Sequence, residues 1–231
     1  MGHVFLCPFK VRKPQQEPAQ QVLPMNLPFR SLPPSDREPE VTDFRMREAV
    51  YSRLLTAMSL LVRNEALVSG DPRKVLQEIT RMGAMTLDTQ RVSVWYFDPE
   101  RTCILCADLY DSAADAHFEG TRLNASDYPA YFAEINRGRI VGADDAVNDP
   151  RTCEFAPNYL VPLGISSMMD VPIKLGSKYV GVLCCEHTGP MRIWQPEEKQ
   201  FALFQSSLLS LSYEISLKLG DTDPLRLRRW E

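Results

Sequence analysis

The feature that most constrains this chain lies in residues 165–194, ISSMMDVPIKLGSKYVGVLCCEHTGPMRIW. Apolar material fills residues 166–173 and 178–187, and Leu175, Gly176 and Ser177 separate the two runs. A glycine free to take a positive φ between two such runs reads as a β-hairpin. The second arm alternates. Val180, Val182, Cys184 and Glu186 take one face; Tyr179, Gly181, Leu183, Cys185 and His187 take the other. Both faces are largely apolar through the middle, as in a central strand of a sheet covered on both sides. The first arm puts Ser167, Met169, Val171 and Ile173 on one face and leaves Asp170 opposite them. A carboxylate in mid-strand is costly unless paired or solvated, so Asp170 predicts a wet cavity or a partner beside it.

The rest of the chain arranges itself around this hairpin. Residues 1–41 are rich in Pro and Gln without a sustained period and read as a disordered or loosely docked arm. Thr42 or Asp43 caps a helix that fills residues 42–70. Val50, Leu54, Ala57 and Leu61 form one apolar row on it, and Tyr51, Leu55, Met58 and Val62 form a second. Two rows are more than one contact surface needs, which leaves one for a second copy of the protein. Asp71 and Pro72 open the next helix, with Val75, Leu76, Ile79 and Met82 as its buried stripe. Residues 91–97 and 102–110 make a strand hairpin, and residues 117–120 a short third strand.

A helix carrying Tyr128, Tyr131, Phe132 and Ile135 stops at Gly138, and residues 140–142 and 157–163 form a short strand and a short helix. After Trp194, Pro196 opens the last helix, where Phe201, Phe204, Leu208, Leu211 and Ile215 are spaced as an a/d seam. Residues 220–231 are a tail. This order gives an α+β fold. Its central antiparallel sheet has about six strands, with terminal helices on one face and crossover helices on the other.

Composition narrows the function classes. With 26 Lys and Arg against 30 Asp and Glu, the net charge of -4 gives no electrostatic case for nucleic acid. No run is long and apolar enough to span a bilayer. Met1-Gly2 suggests myristoylation, but position 6 is Leu rather than Ser or Thr. The 6 cysteines of a chain with a real core read as reduced thiols, which places the protein in the cytoplasm.

The segments LGISSMMDVPI and GSKYVGVLCCEH, then WQPEE with Phe201 beyond it, resemble the GAF domain, a small-molecule sensing module. RVSVWYFDPE, DYPAYFAEINRGRIVGADDAVNDPR and EFAPNYL fit the same pattern in the same order, so the resemblance spans roughly residues 71–219. It implies a stand-alone sensor of the bacterial type, with a ligand held between one sheet face and the crossover. Polar and aromatic groups placed to face that space are Asp108, Tyr110, Tyr131, Asp144, Arg151, Phe155, Tyr159, Asp170 and Cys185. Asp170 stands first among them, because packing alone does not explain its position.

Other chemistries find less support. Cys184 and Cys185 point to opposite faces of their strand and cannot share one metal ion. GAF domains that attach a linear tetrapyrrole do so through a Cys followed by His; this chain has Cys153-Glu154 there. Neither P-loop nor dinucleotide fingerprint is present, and no particular cofactor is indicated. The expectation is a non-enzymatic sensor, homodimeric through its terminal helices, that binds a small molecule and signals to a separate output protein. The alternatives are a degenerate GAF fold serving only dimerisation or protein interaction, and a thiol enzyme of the methionine sulfoxide reductase type using Cys185 or Cys153.

Overall fold

The computed structural model describes residues 37–69 and 71–218. Most of the Pro- and Gln-rich arm and the tail lie outside the described residues. The chain divides into two compact units, Met1–Val50 and Tyr51–Glu231. In the first, the described residues form the opening turns of helix α1, Arg37–Val62. The sheet belongs to the second.

α1 begins at Arg37, ahead of Thr42, and Pro39 falls in its first turn, where a missing N–H costs nothing. The helix expected over residues 42–70 is not continuous and breaks after Val62. Asn64 interrupts it: its side chain accepts from the Ala66 N–H at 2.8 Å and starts a new helix, α2, Glu65–Ser69. Of the two apolar rows, Leu54, Ala57 and Leu61 are buried, while Tyr51, Leu55 and Val62 are exposed.

Asp71 caps α3, Pro72–Leu87, by accepting from the Arg73 N–H. Strands β1, Arg91–Phe97, and β2, Cys103–Asp111, follow, then the short β3, Ala116–Phe118, and β4, Arg122–Asn124. The crossover comprises helix α4, Pro129–Asn136, strand β5, Val141–Ala143, a 3-10 turn over Cys153–Phe155, a π turn over Ala156–Leu160 and the single turn α5, Val161–Leu163. Strands β6, Ile165–Leu175, and β7, Lys178–Thr188, form the expected hairpin, with Gly176 at φ +58° in its turn. Helix α6, Pro196–Lys218, ends the described chain. No described helix is long and apolar enough to cross a membrane.

The sheet is antiparallel throughout, in the order β3-β2-β1-β7-β6-β5, with β4 also paired to β2. Helices α3 and α6 cover one face. The other face carries Trp95, Ile104, Cys106, Met168, Val182 and Cys184, packed against Tyr131, Phe132, Ile135, Phe155 and Leu160 of the crossover.

The a/d seam of α6 divides on folding. Phe201 and Leu208 are buried, whereas Leu211 is 50% exposed. The buried side of the helix also takes in Ala202, Gln205, Ser206, Leu209 and Ser212, with the Gln205 side-chain amide donating to the Ile79 carbonyl of α3 at 2.8 Å. Small residues let it approach β6 closely enough for the Ser206 hydroxyl to donate to the Pro172 carbonyl at 2.7 Å.

At the centre of the sheet Gly181 lies between Tyr96 of β1 and Ile173 of β6. A Cβ there would stand 2.1 Å from the Trp95 carbonyl oxygen, so the two strands would have to separate. Gly181→Ala is expected to lose about 3 kcal/mol of stability in urea unfolding, the upper end for an overpacked core.

Candidate functional site

Between the sheet and the crossover lies a cleft lined by Trp95, Ile104, Leu123, Tyr131, Phe155, Tyr159, Met168, Asp170, Cys184 and Glu186. It encloses about 290 Å³ of space free of atoms, mouth included, of which about 20 Å³ admits the centre of a water molecule. By that second measure it holds little more than one water.

The aromatic wall is set by one carboxylate. The Ala130 and Tyr131 N–H groups, at the start of α4, both donate to Glu154, at 3.0 and 3.2 Å. This fastens the turn bearing Phe155 to the helix bearing Tyr131. Phe155 then stacks on Tyr128 with centroids 4.2 Å apart and meets Tyr131 edge-on at 4.8 Å. Glu154 therefore has a structural use at the place where a tetrapyrrole-binding relative would carry its His.

Two buried carboxylates face this wall. Asp170 is 1% exposed and Glu186 3%. The Tyr131 hydroxyl donates to Asp170 Oδ2 in a short hydrogen bond, and Asp170 Oδ1 has no hydrogen-bond partner. Cys184 stands directly across the strand pair. Burial pushes the Asp170 carboxyl up to about 7; the Cys184 thiol and the Tyr131 hydroxyl hold it down only in part, and Glu186 raises it further. The thiol is a weak donor and does not complete the bonding of Oδ1.

Glu186 is better matched. Arg91 Nε donates to it at 2.9 Å, while the other arm of the guanidinium donates to Asp111 at 3.0 Å. Burial raises the Glu186 carboxyl against the pull of Arg91 and Tyr159. The Cys184 thiol donates to Glu186 Oε1 at 3.9 Å, a long contact even for sulfur.

Four of the expected site residues, Tyr131, Phe155, Tyr159 and Asp170, line the cleft. The other five lie elsewhere. Asp108 and Tyr110 are on the α3 face: Asp108 accepts from Thr80 at 2.5 Å and pairs with His117 at 3.0 Å, and the Tyr110 hydroxyl donates to Asp115 at 2.7 Å. A bulge turns them there, since Val94 pairs with Asp108 but Trp95 with Cys106, leaving Ala107 unpaired. Cys185, the strand neighbour of Cys184, points to the opposite face, toward the helices, although Asp170 and Glu186 as well as Glu198 and Arg192 act on it electrostatically. A second bulge is the reason. Lys174 pairs with Tyr179 but Ile173 with Gly181, so Val180 is unmatched and Asp170 comes opposite Cys184.

Asp144 is exposed; its side chain accepts from the Trp194 N–H at 2.9 Å. Arg151 closes its own loop, donating to Asp149 and, at 2.8 Å, to the Gly142 carbonyl. Residues that line the cleft without having been expected there include Trp95, Cys184 and Glu186. The face shared by Cys184 and Glu186 was legible; that it is Asp170's face required the bulge.

No curated protein matches the chain. The model of the GAF domain matches residues 71–212, more than half of its length. The chain belongs to the GAF domain family.

Solved structures agree on the fold. The GAF domain of a phosphoenolpyruvate-protein phosphotransferase from Coxiella burnetii is 14% identical, with a TM-score of 0.59 over 73% of this chain and 97% of that one. The blue-light absorbing form of the Thermosynechococcus elongatus PixJ GAF domain is 19% identical, with a TM-score of 0.54 over 69% and 96%. A segment of a methyl-accepting chemotaxis protein is 17% identical, with a TM-score of 0.57 over 71% and 99%.

The thiol-enzyme reading gains nothing from the geometry of this GAF domain. Cys185 is fully buried, and burial pushes its thiol up, the opposite of what a nucleophile needs. Cys153 is half-buried in the 3-10 turn and does not line the cleft.

Proposed function

We propose that this GAF domain is a regulatory receptor. A small molecule enters the cleft between sheet and crossover, and the response reaches a partner protein through the terminal helices. The observation that carries this reading is Asp170, a buried carboxylate with one unpartnered oxygen on the wall of an aromatic cleft. Packing does not require a carboxylate there, and leaving its oxygen unmatched carries a cost. The helices offer a route outward: Tyr51, Leu55 and Val62 of α1 and Leu203, Leu211 and Leu217 of α6 are exposed apolar side chains suited to a second copy.

A second reading, a GAF fold kept only for dimerisation or protein interaction, is favoured by the small free space left by Tyr131, Phe155 and Tyr159. One experiment separates the two. Thermal unfolding is followed across a panel of metabolites, and sedimentation is measured with and without any compound that binds. The receptor reading expects a saturable rise in Tm that Asp170→Ala removes. A dimer broken by Leu55→Glu with Leu211→Glu, but no stabilising compound, selects the interaction module.

A further inference from the structure

The cleft is unequally charged. It presents two carboxylates, and the one guanidinium near them, Arg91, is already committed to Glu186 and Asp111. No described cation pairs with Asp170, which lines the cleft and whose Oδ1 is buried without a hydrogen-bond partner. The cleft that Asp170 lines is also lined by the rings of Trp95, Tyr131, Phe155 and Tyr159, and aromatic rings favour a cation that reaches their faces. Among the described residues no three His, Cys, Asp or Glu side chains are grouped to hold a metal ion. The missing charge therefore fits an organic cation. Size decides which kind. A cleft with only about 20 Å³ for the centre of a water favours a compact ammonium head over the bulkier guanidinium or quaternary ammonium.

We propose that the cleft binds a small primary amine, its ammonium group donating to Asp170 Oδ1 and its carbon tail running out between the aromatic rings. This rests on the receptor reading above and names its ligand class. The ammonium has three donors for the oxygens gathered there and replaces the hydration that Asp170 has lost. Tyr131 of α4 and Cys184 and Glu186 of β7 bear on this carboxyl, Tyr159 of the π turn lines the same cleft, and Glu186 is the one other carboxyl among them. Its carboxylate repels that of Asp170, and a bound cation relieves the repulsion. An amine thus selects the ionised form of Asp170, so binding releases a proton below the Asp170 pKa and strengthens as pH rises to about 7.

Calorimetry on the whole chain with n-butylammonium, 1-butanol and butyrate tests this. Butylammonium stays charged throughout, as Lys does. The expected result is saturable binding of butylammonium, at least about tenfold tighter than butanol at pH 8. It weakens at pH 6 and is lost in Asp170→Asn. Asp108→Asn, on the opposite face, leaves it unchanged. If butanol or butyrate binds as well as the amine, or Asp170→Asn binds it undiminished, the amine is the wrong class while the receptor stands. If none of the three binds but a compound of the metabolite panel stabilises the chain, the amine again fails alone. Silence from all of them, with only a water on Oδ1, ends both.

Discussion

Asp170→Asn should make this protein more stable, by about 4 kcal/mol at pH 8, and the gain should vanish below about pH 4. The carboxyl sits near 3.8 when exposed and is pushed up to about 7 in the fold. Between those values the folded protein holds a proton that the unfolded chain has released. The folded state binds more protons there, so stability falls as pH rises through the window and levels off above about 7. Asparagine has nearly the same shape, its carbonyl accepts the Tyr131 hydroxyl as Asp170 Oδ2 does, and it carries no charge at any pH. Glu186 titrates in both proteins, so the difference between their urea-unfolding free energies reports Asp170 together with its repulsion by Glu186. A difference that is flat with pH, or that favours the parent at pH 8, would mean that Asp170 is ionised and compensated. It would also remove the unmatched charge on which the proposed amine site depends.

That a buried site should be stabilised by losing a charge has a simple physical origin. Proteins retain costly buried groups where a site uses them, and activity and stability then oppose each other. The same tension explains why Asp170 was legible in the sequence at all. In an otherwise apolar strand, SSMMDVPI, it is the residue that breaks the local rule.

The elements themselves were equally legible. Alternation in YVGVLCCEH, the Asp71-Pro72 helix start and the Gly176 turn all leave strong local signals, and each stands in the structure where the pattern put it. What alternation does not contain is the location of a bulge. One unmatched residue reverses every side chain beyond it relative to the partner strand. Ala107 does this in β2 and sends Asp108 and Tyr110 to the helix face. Val180 does it in β7 and exchanges Cys185 for Cys184 beside Asp170. Asp144 and Arg151, expected at the cleft, lie away from it for another reason. A polar loop looks the same whether it serves a ligand or its own turns, and here it serves its turns and the Trp194 backbone.

Trp194→Ala should cost about 4 kcal/mol, close to the limit for removing a large buried ring. Trp194 is 1% exposed and lies in the short connection between β7 and α6. Its N–H is held by Asp144, and the Arg192 guanidinium lies over its ring at 4.6 Å. Arg192 also donates to the Leu87 carbonyl at 2.8 Å and pairs with Glu198. Glu198 in turn accepts from the Gln195 N–H at 2.9 Å, which caps the start of α6. The ring therefore supports the junction at which α3, α6 and the sheet meet.

Trp194→Phe separates packing from polarity. The indole Nε1 has no hydrogen-bond partner, so phenylalanine forfeits volume but no hydrogen bond and should cost only about 1.5 kcal/mol. Equal losses in the two variants would show instead that the indole nitrogen is bonded. This junction also connects the strand of Asp170 to the start of α6. Ser167, on the strand that carries Asp170, accepts from the Arg192 N–H at 2.9 Å and donates to the Asp144 carbonyl at 2.7 Å. A ligand that shifts β6 can reach α6 through these contacts as well as through the direct bond from Ser206 to Pro172. In Trp194→Ala, with the ring gone, an amine bound at Asp170 should change the hydrogen-exchange protection of the first turn of α6 less than it does in the parent, although calorimetry still detects its binding.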